Sequence, residues 1–136
     1  MDNLESQKIM KIATDYFSKE VGGDKQKTNQ MLASLATMVK EPGVKLVHLN
    51  DILFLIIVRG SGMVEVHTMA SDITPSDLVK GFQQLASYLK NIGVKVAYSY
   101  SDDRRFARIA RQTKLPIREM KETLDGKETY IYIMEF

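Results

Sequence analysis

The sequence predicts an α/β (α+β) fold: a mixed, mainly antiparallel twisted sheet with a parallel pair at its centre and helices on both faces. Three observations lead there. Residues 52–58, ILFLIIV, form a continuously apolar run between two half-alternating segments, the pattern of a doubly buried central strand in an antiparallel meander. Residues 63–101 pass from strand to strongly marked helix to strand, and such a crossover makes the two strands parallel neighbours. Residues 1–43 carry two helical stripes, each closed by glycine or proline, and so read as a helical hairpin.

Each element has its own warrant. Ile9, Ile12, Ala13, Tyr16 and Phe17 recur at three- and four-residue spacing and define the first helix, which Gly22 and Gly23 end. Met31, Leu32, Leu35, Met38 and Val39 mark the second, which follows Asp24 and stops at Pro42 and Gly43. The segments VKLVHL, ILFLIIV and GMVEVHTM are strands, joined tightly at Asn50-Asp51 and Gly60-Ser61-Gly62. Thr74 and Asp77 bracket Pro75 and Ser76 as a capping box, and Leu78, Phe82, Leu85, Ala86 and Leu89 supply the helix stripe that follows. After the strand VKVAYSYS, whose Tyr98 and Tyr100 share a face with Val94 and Val96, Asp102 or Ser101 caps a fourth helix with Phe106 and Ile109 turned to the core. Two strands, IREMKET and ETYIYIMEF, then form a hairpin around Leu124-Asp125-Gly126-Lys127. The last strand is apolar on both faces, which predicts a central or covered position.

Composition narrows the chemistry. The 136 residues fit one domain, 1–136, with a core that needs no staples, and 44% hydrophobic with 26% charged residues is a globular balance. Zero cysteines exclude disulfides, thiolate metal sites and cysteine nucleophiles, and two distant histidines leave few ligands for a metal, so none is expected. The apolar run is far too short for a membrane span and the amino terminus has no secretory pattern, so a cytoplasmic protein is expected. A formal charge of +2 gives no general reason to expect nucleic acid as a partner.

The order of elements, carried by ILFLIIVRGSGMVEVHTM, SDLVKGFQQLASYLKNIGVKVAYSYS and DDRRFARIARQTKLPIREMKE, resembles the GNAT superfamily of N-acyltransferases, with that family's first strand missing. The resemblance implies an acyl-coenzyme A site at the loop after the fourth family strand, here Met69, Ala70, Ser71, Thr74 and Ser76. It also implies a general base at Glu65, with His67 as the alternative, and a general acid at Tyr100. It extends to small bacteriophage proteins with the same shortened amino terminus.

The residues themselves argue against the ligand. In ASDITPS there is no glycine to admit a phosphate to the backbone, Pro75 removes an amide donor, and Asp72 and Asp77 repel anions. The expectation is therefore no cofactor, with acetyl-coenzyme A as the alternative, and a noncatalytic, phage-derived binding or assembly protein, virion-associated or host-directed, with an active N-acetyltransferase as the alternative. Arg104, Arg105, Arg108 and Arg111 cluster on the fourth helix, with Lys114 extending the row, and suit an acidic protein partner better than nucleic acid. Self-association through the terminal hairpin is the other expected contact.

Overall fold

The computed structural model describes residues 3–101, 103 and 105–136. Helices α1 (Asn3–Glu20) and α2 (Lys25–Met38) turn at Gly22 and Gly23, whose φ values of 63° and 84° suit glycine. Asp24 caps α2 by accepting from the Lys27 backbone N–H at 3.0 Å. The two stripes meet on one sheet face, where Ala13, Phe17 and Leu35 are buried against Leu53, Leu55, Ile57 and Met69. Met38 is the exception to the expected stripe: it stays exposed and borders an open cleft. No strand precedes α1 among the described residues.

β1 (Val44–Leu49), β2 (Ile52–Gly60) and β3 (Met63–Met69) form the antiparallel meander. Alternate side chains of β2 feed two cores: Leu53, Leu55 and Ile57 lie under α1 and α2, while Ile52, Phe54 and Ile56 lie under α3 (Pro75–Asn91). This division explains why the run is apolar at every position. Thr74 caps α3, its Oγ1 accepting from the Asp77 N–H at 3.1 Å and donating to Asp77 Oδ2 at 3.0 Å. The return contact thus goes to the Thr74 hydroxyl, where a full capping box would reach the Thr74 backbone.

β4 (Val96–Ser101) lies parallel to β3, and α4 (Arg105–Gln112), β5 (Ile117–Leu124) and β6 (Lys127–Glu135) complete the chain. The sheet order β1-β2-β3-β4-β6-β5 sets the parallel pair at the centre and makes β6 an interior strand. Tyr130 and Tyr132 of β6 pack against Ala107 and Ala110 of α4, while Ile131 and Ile133 on the other face are half-buried. Asp125 and Gly126 form the hairpin turn, both at positive φ (52° and 75°), as a type I′ turn requires.

Two local expectations change. Asp103 caps α4, its Oδ1 accepting from the Arg105 N–H at 2.9 Å, while Ser101 Oγ accepts from the Asp103 N–H; Asp102 lies outside the described residues. Val94 lies ahead of β4 and packs with Ala97 under α3, so Tyr98 and Tyr100 do not share its face. No helix among the described residues is long and apolar enough to cross a membrane.

Gly81 sets how closely α3 approaches the sheet. A Cβ there would sit 2.3 Å from Cδ1 of Ile52, whose side chain is fully buried and has no room to yield. Gly81→Val is expected to destabilise the fold by about 1–3 kcal/mol, the usual cost of overpacking, since a β-branched residue recovers little helix propensity. Urea denaturation monitored by circular dichroism measures it.

Candidate active site

β3 and β4 keep company for only part of their length. Met63, Val64 and Glu65 pair with Val96, Ala97 and Tyr98, and there the parallel ladder ends. β3 continues to Met69 on β2, and β4 continues to Ser101 on β6. The facing edges of residues 66–69 and 99–101 therefore have no strand partner, and their backbone groups are available to a ligand or water. A cleft of about 730 Å³ opens at this parting. Phe17, Met31 and Leu35 of the helical hairpin form its apolar wall, and His67 and Tyr100 line it from the two strands.

A polar cluster stands where the strands separate. The Glu65 side chain is 11% exposed and receives Arg59 Nε at 3.1 Å, the Tyr98 hydroxyl at 3.4 Å and His67 Nε2 in a short contact with Oε2. Burial by itself would raise the Glu65 carboxyl, but the hydrogen bonds from Arg59 and His67, with their charges, outweigh it and hold the group below its usual value of 4.5. Burial, followed by the charge of Glu65, pushes the Tyr98 phenol up, so it stays a donor. His67 is half-exposed, and among the described residues its ring is anchored through Nε2 alone. Tyr100 is 45% exposed and stands edge-on to Tyr98, with ring centres 5.7 Å apart.

The residues that the GNAT resemblance assigned to a ligand flank the far end of the same parting. Met69 is buried in the cleft wall, and Ala70 packs against the α3-side core. The Ser71 and Thr68 hydroxyl oxygens are buried with no hydrogen-bond partner among the described residues. Buried hydroxyls of this kind ordinarily have a partner, so each is open to a polar ligand or a water. Thr74 is committed to Asp77, Ser76 is exposed, and Pro75 offers no N–H. Asp72 sits at φ 54° and its Oδ1 accepts from Lys19 Nζ of α1 at 2.7 Å, a bond that, together with the lysine's charge, lowers the Asp72 carboxyl.

The arginine cluster lies beside this site. Arg105 is taken up by Asp103 through bonds of 2.7 to 3.1 Å, which raise the guanidinium further. Arg108 and Arg111 are exposed and make no ion pair among the described residues; Arg104 lies outside them. Arg59 is the site residue that sequence reasoning passed over, and Tyr98 was assigned to packing alone. Its place two residues after Ile57, the partner of Glu65, sets Arg59 on the face that Glu65 shares, beside a register shift between Val58 and Gly60.

No protein-family model matches the sequence, and no curated protein is similar to it. Solved structures do share its fold. RimL, a ribosomal alpha-N-protein acetyltransferase in complex with coenzyme A, superposes with a TM-score of 0.64 at 10% identity, over 100% of this chain and 91% of that one. The PaiA N-acetyltransferase from Thermoplasma acidophilum, also in complex with coenzyme A, gives 0.57 at 8% identity over 96% and 92%. A probable acetyltransferase of the GNAT family from Chromobacterium violaceum gives 0.60 at 14% identity over 79% and 67%. At such identities the likeness establishes the fold, and the fold is that of GNAT acetyltransferases.

The expectation of no cofactor is corrected by this finding, since structures on the same fold hold coenzyme A. The charge argument behind that expectation also weakens. Lys19 offsets Asp72, Asp77 is engaged by Thr74, and the parted strands leave a slot that the loop composition does not reveal.

Folding lowers the proton affinity of Glu65, so this group adds stability above its usual value of 4.5 and withdraws it as the pH falls through the lowered one. Glu65→Gln is expected to flatten the acid limb of the stability curve, read as urea midpoints between about pH 3 and 7. An unchanged limb would contradict the carboxylate's charged, bonded state.

Proposed function

We propose that the chain is an N-acetyltransferase that uses acetyl-coenzyme A and acts on an amine. One observation carries the reading: β3 and β4 part immediately after the Glu65–Tyr98 pair, and His67 and Tyr100 line the slot that opens there. Acetyl-coenzyme A supplies the acetyl group activated as a thioester. The unpaired edges of residues 66–69 and 99–101 suit an extended amide-bearing arm, and the Thr68 and Ser71 hydroxyls suit its polar groups.

Charge and geometry distribute the roles. Glu65 stays ionised and, with Arg59 and Tyr98 behind it, fixes the His67 ring through Nε2. With Nε2 holding its hydrogen toward the carboxylate, Nδ1 is the atom free to take a proton from the attacking ammonium. Tyr100 holds a phenolic proton at the slot for the departing sulfur. Thr74 and Ser76 border the end where a diphosphate would lie, with Lys19 held against the same loop through Asp72.

A second reading draws on a different observation. The loop of residues 70–76 has no glycine and loses one donor at Pro75 and another to Thr74, so few amides remain for a diphosphate. That favours a noncatalytic binding component built on the same fold.

Calorimetry with acetyl-coenzyme A, followed by a thiol-release assay over a panel of amines, separates the two. Binding in the micromolar range with thiol release is expected. His67→Ala is expected to lower kcat/KM by about 10²–10⁴-fold, the usual share of a positioned base, and Tyr100→Phe to lower kcat while binding persists. No binding at millimolar concentration contradicts the proposal and supports the second reading; binding without release from any amine contradicts the acetyl-transfer step.

A further inference from the structure

A second cavity, of about 500 Å³, lies at the opposite end of β3 from the slot, between the first residues of β1 and β3, the last residues of β2 and the C-terminal end of α3. Ile56, Val64 and Val94 line it from the α3-side core, whereas Glu65 and His67 alternate to the other face of β3. The sheet therefore separates the two sites. Four of the lining residues are glycines, Gly43, Gly60, Gly62 and Gly93, so bare backbone bounds much of the space. A Cβ at Gly93 would meet nothing within 4 Å.

The apolar part of the lining is open to solvent. Val58, Met63 and Ile92 are 55%, 38% and 54% exposed, and all three border this cavity. Single exposed apolar side chains are ordinary, but a group of them around one concavity is surface that a ligand covers.

The charge of the cavity is one-sided. No carboxylate lines it. Lys45 does, with its Nζ 5.4 Å from the centre of the Tyr88 ring, and the stem of Lys95 lies against Gly62, where a Cβ would come 3.0 Å from Lys95 Cγ. Neither ammonium has an ion pair among the described residues. Stacking over the Tyr88 ring holds the Lys45 ammonium in place without neutralising it. The Tyr88 hydroxyl oxygen is itself buried with no hydrogen-bond partner among the described residues.

One effect opposes an anion here, the negative end of the α3 dipole. That end carries only about half a charge, and the carbonyls of Tyr88, Leu89 and Lys90 already accept from the N–H groups of Ile92, Val94 and Gly93. Two full ammonium charges outweigh it. A second copy of this chain is a poor occupant, because a twofold contact would set the lysines against their own mates.

We infer that this cavity binds a small apolar monocarboxylate, with its carboxylate on Lys45 and its hydrocarbon body across Val58, Met63 and Ile92. Occupancy requires no ligand in the slot.

Nuclear magnetic resonance titration of the full chain with octanoate tests this, with octylammonium as the same tail under the opposite charge. Octanoate is expected to move the amide signals of residues 43–45, 58–64 and 88–94 in shifts that saturate by millimolar concentration, and to leave 66–69 and 99–101 in place. Octylammonium is expected to bind roughly tenfold more weakly. Lys45→Met, which removes a charge-assisted contact, is expected to weaken octanoate about tenfold, and Tyr88→Phe about threefold. Lys45 is exposed, so the fold tolerates its replacement, and Lys45→Glu is expected to reverse the preference between the two head groups. Shifts that fail to saturate, shifts centred on residues 66–69 and 99–101, or equal binding of both head groups would each overturn the inference.

Discussion

The parallel pair at the centre of the sheet governs the rest of the molecule. β3 and β4 are joined by a crossover through α3, so each must also satisfy an antiparallel neighbour, β2 on one side and β6 on the other. Twist accumulates across such a junction, and after Glu65 and Tyr98 the two strands follow their outer neighbours. Unpaired backbone in a protein interior is costly unless something occupies it. The parting is therefore both a structural deficit and the place where a ligand gains most from binding.

The polar cluster is placed by the same junction. Glu65 and Tyr98 are the last paired residues of the ladder, so their side chains meet at the mouth of the slot, and His67 is the next residue on the same face of β3. A carboxylate this enclosed would be expensive if unpaired. Arg59, the Tyr98 hydroxyl and the His67 ring offset that cost, and in doing so they orient the imidazole. The architecture and the chemistry share one origin, the point where pairing stops. The apolar wall from α1 and α2 completes the site by facing the slot with Phe17, Met31 and Leu35, which limits water on that side.

Much of this fold could be read from short-range pattern. The run ILFLIIV is apolar from Ile52 to Ile57 because successive residues of β2 feed the two cores in turn, and Thr74-Pro75-Ser76-Asp77 announces α3 because its capping chemistry is local. The hairpin at Asp125-Gly126 is equally local, a two-residue turn with both residues at positive φ. What pattern could not carry was long-range geometry. Lys19 lies 53 positions from Asp72, so the loop's charge was judged without its counterion. The alternation in VEVHTM and AYSYS is the same whether or not the strands remain paired, so the slot left no mark on the sequence. Arg59 meets Glu65 diagonally across the β2–β3 pair, a contact that depends on the register of two strands and that the alternation of either one does not give.

The proposed site depends on backbone at residues 66–69 and 99–101 that lacks a strand partner in the free protein and is engaged when ligand is present. Amide hydrogen exchange, resolved residue by residue with and without acetyl-coenzyme A, measures that directly. Slowed exchange concentrated at residues 66–69 and 99–101, with β1 and β2 unchanged, is the predicted result. Exchange at those positions that is already slow without ligand, or unmoved by it, would contradict the claim that the central strands part to receive one.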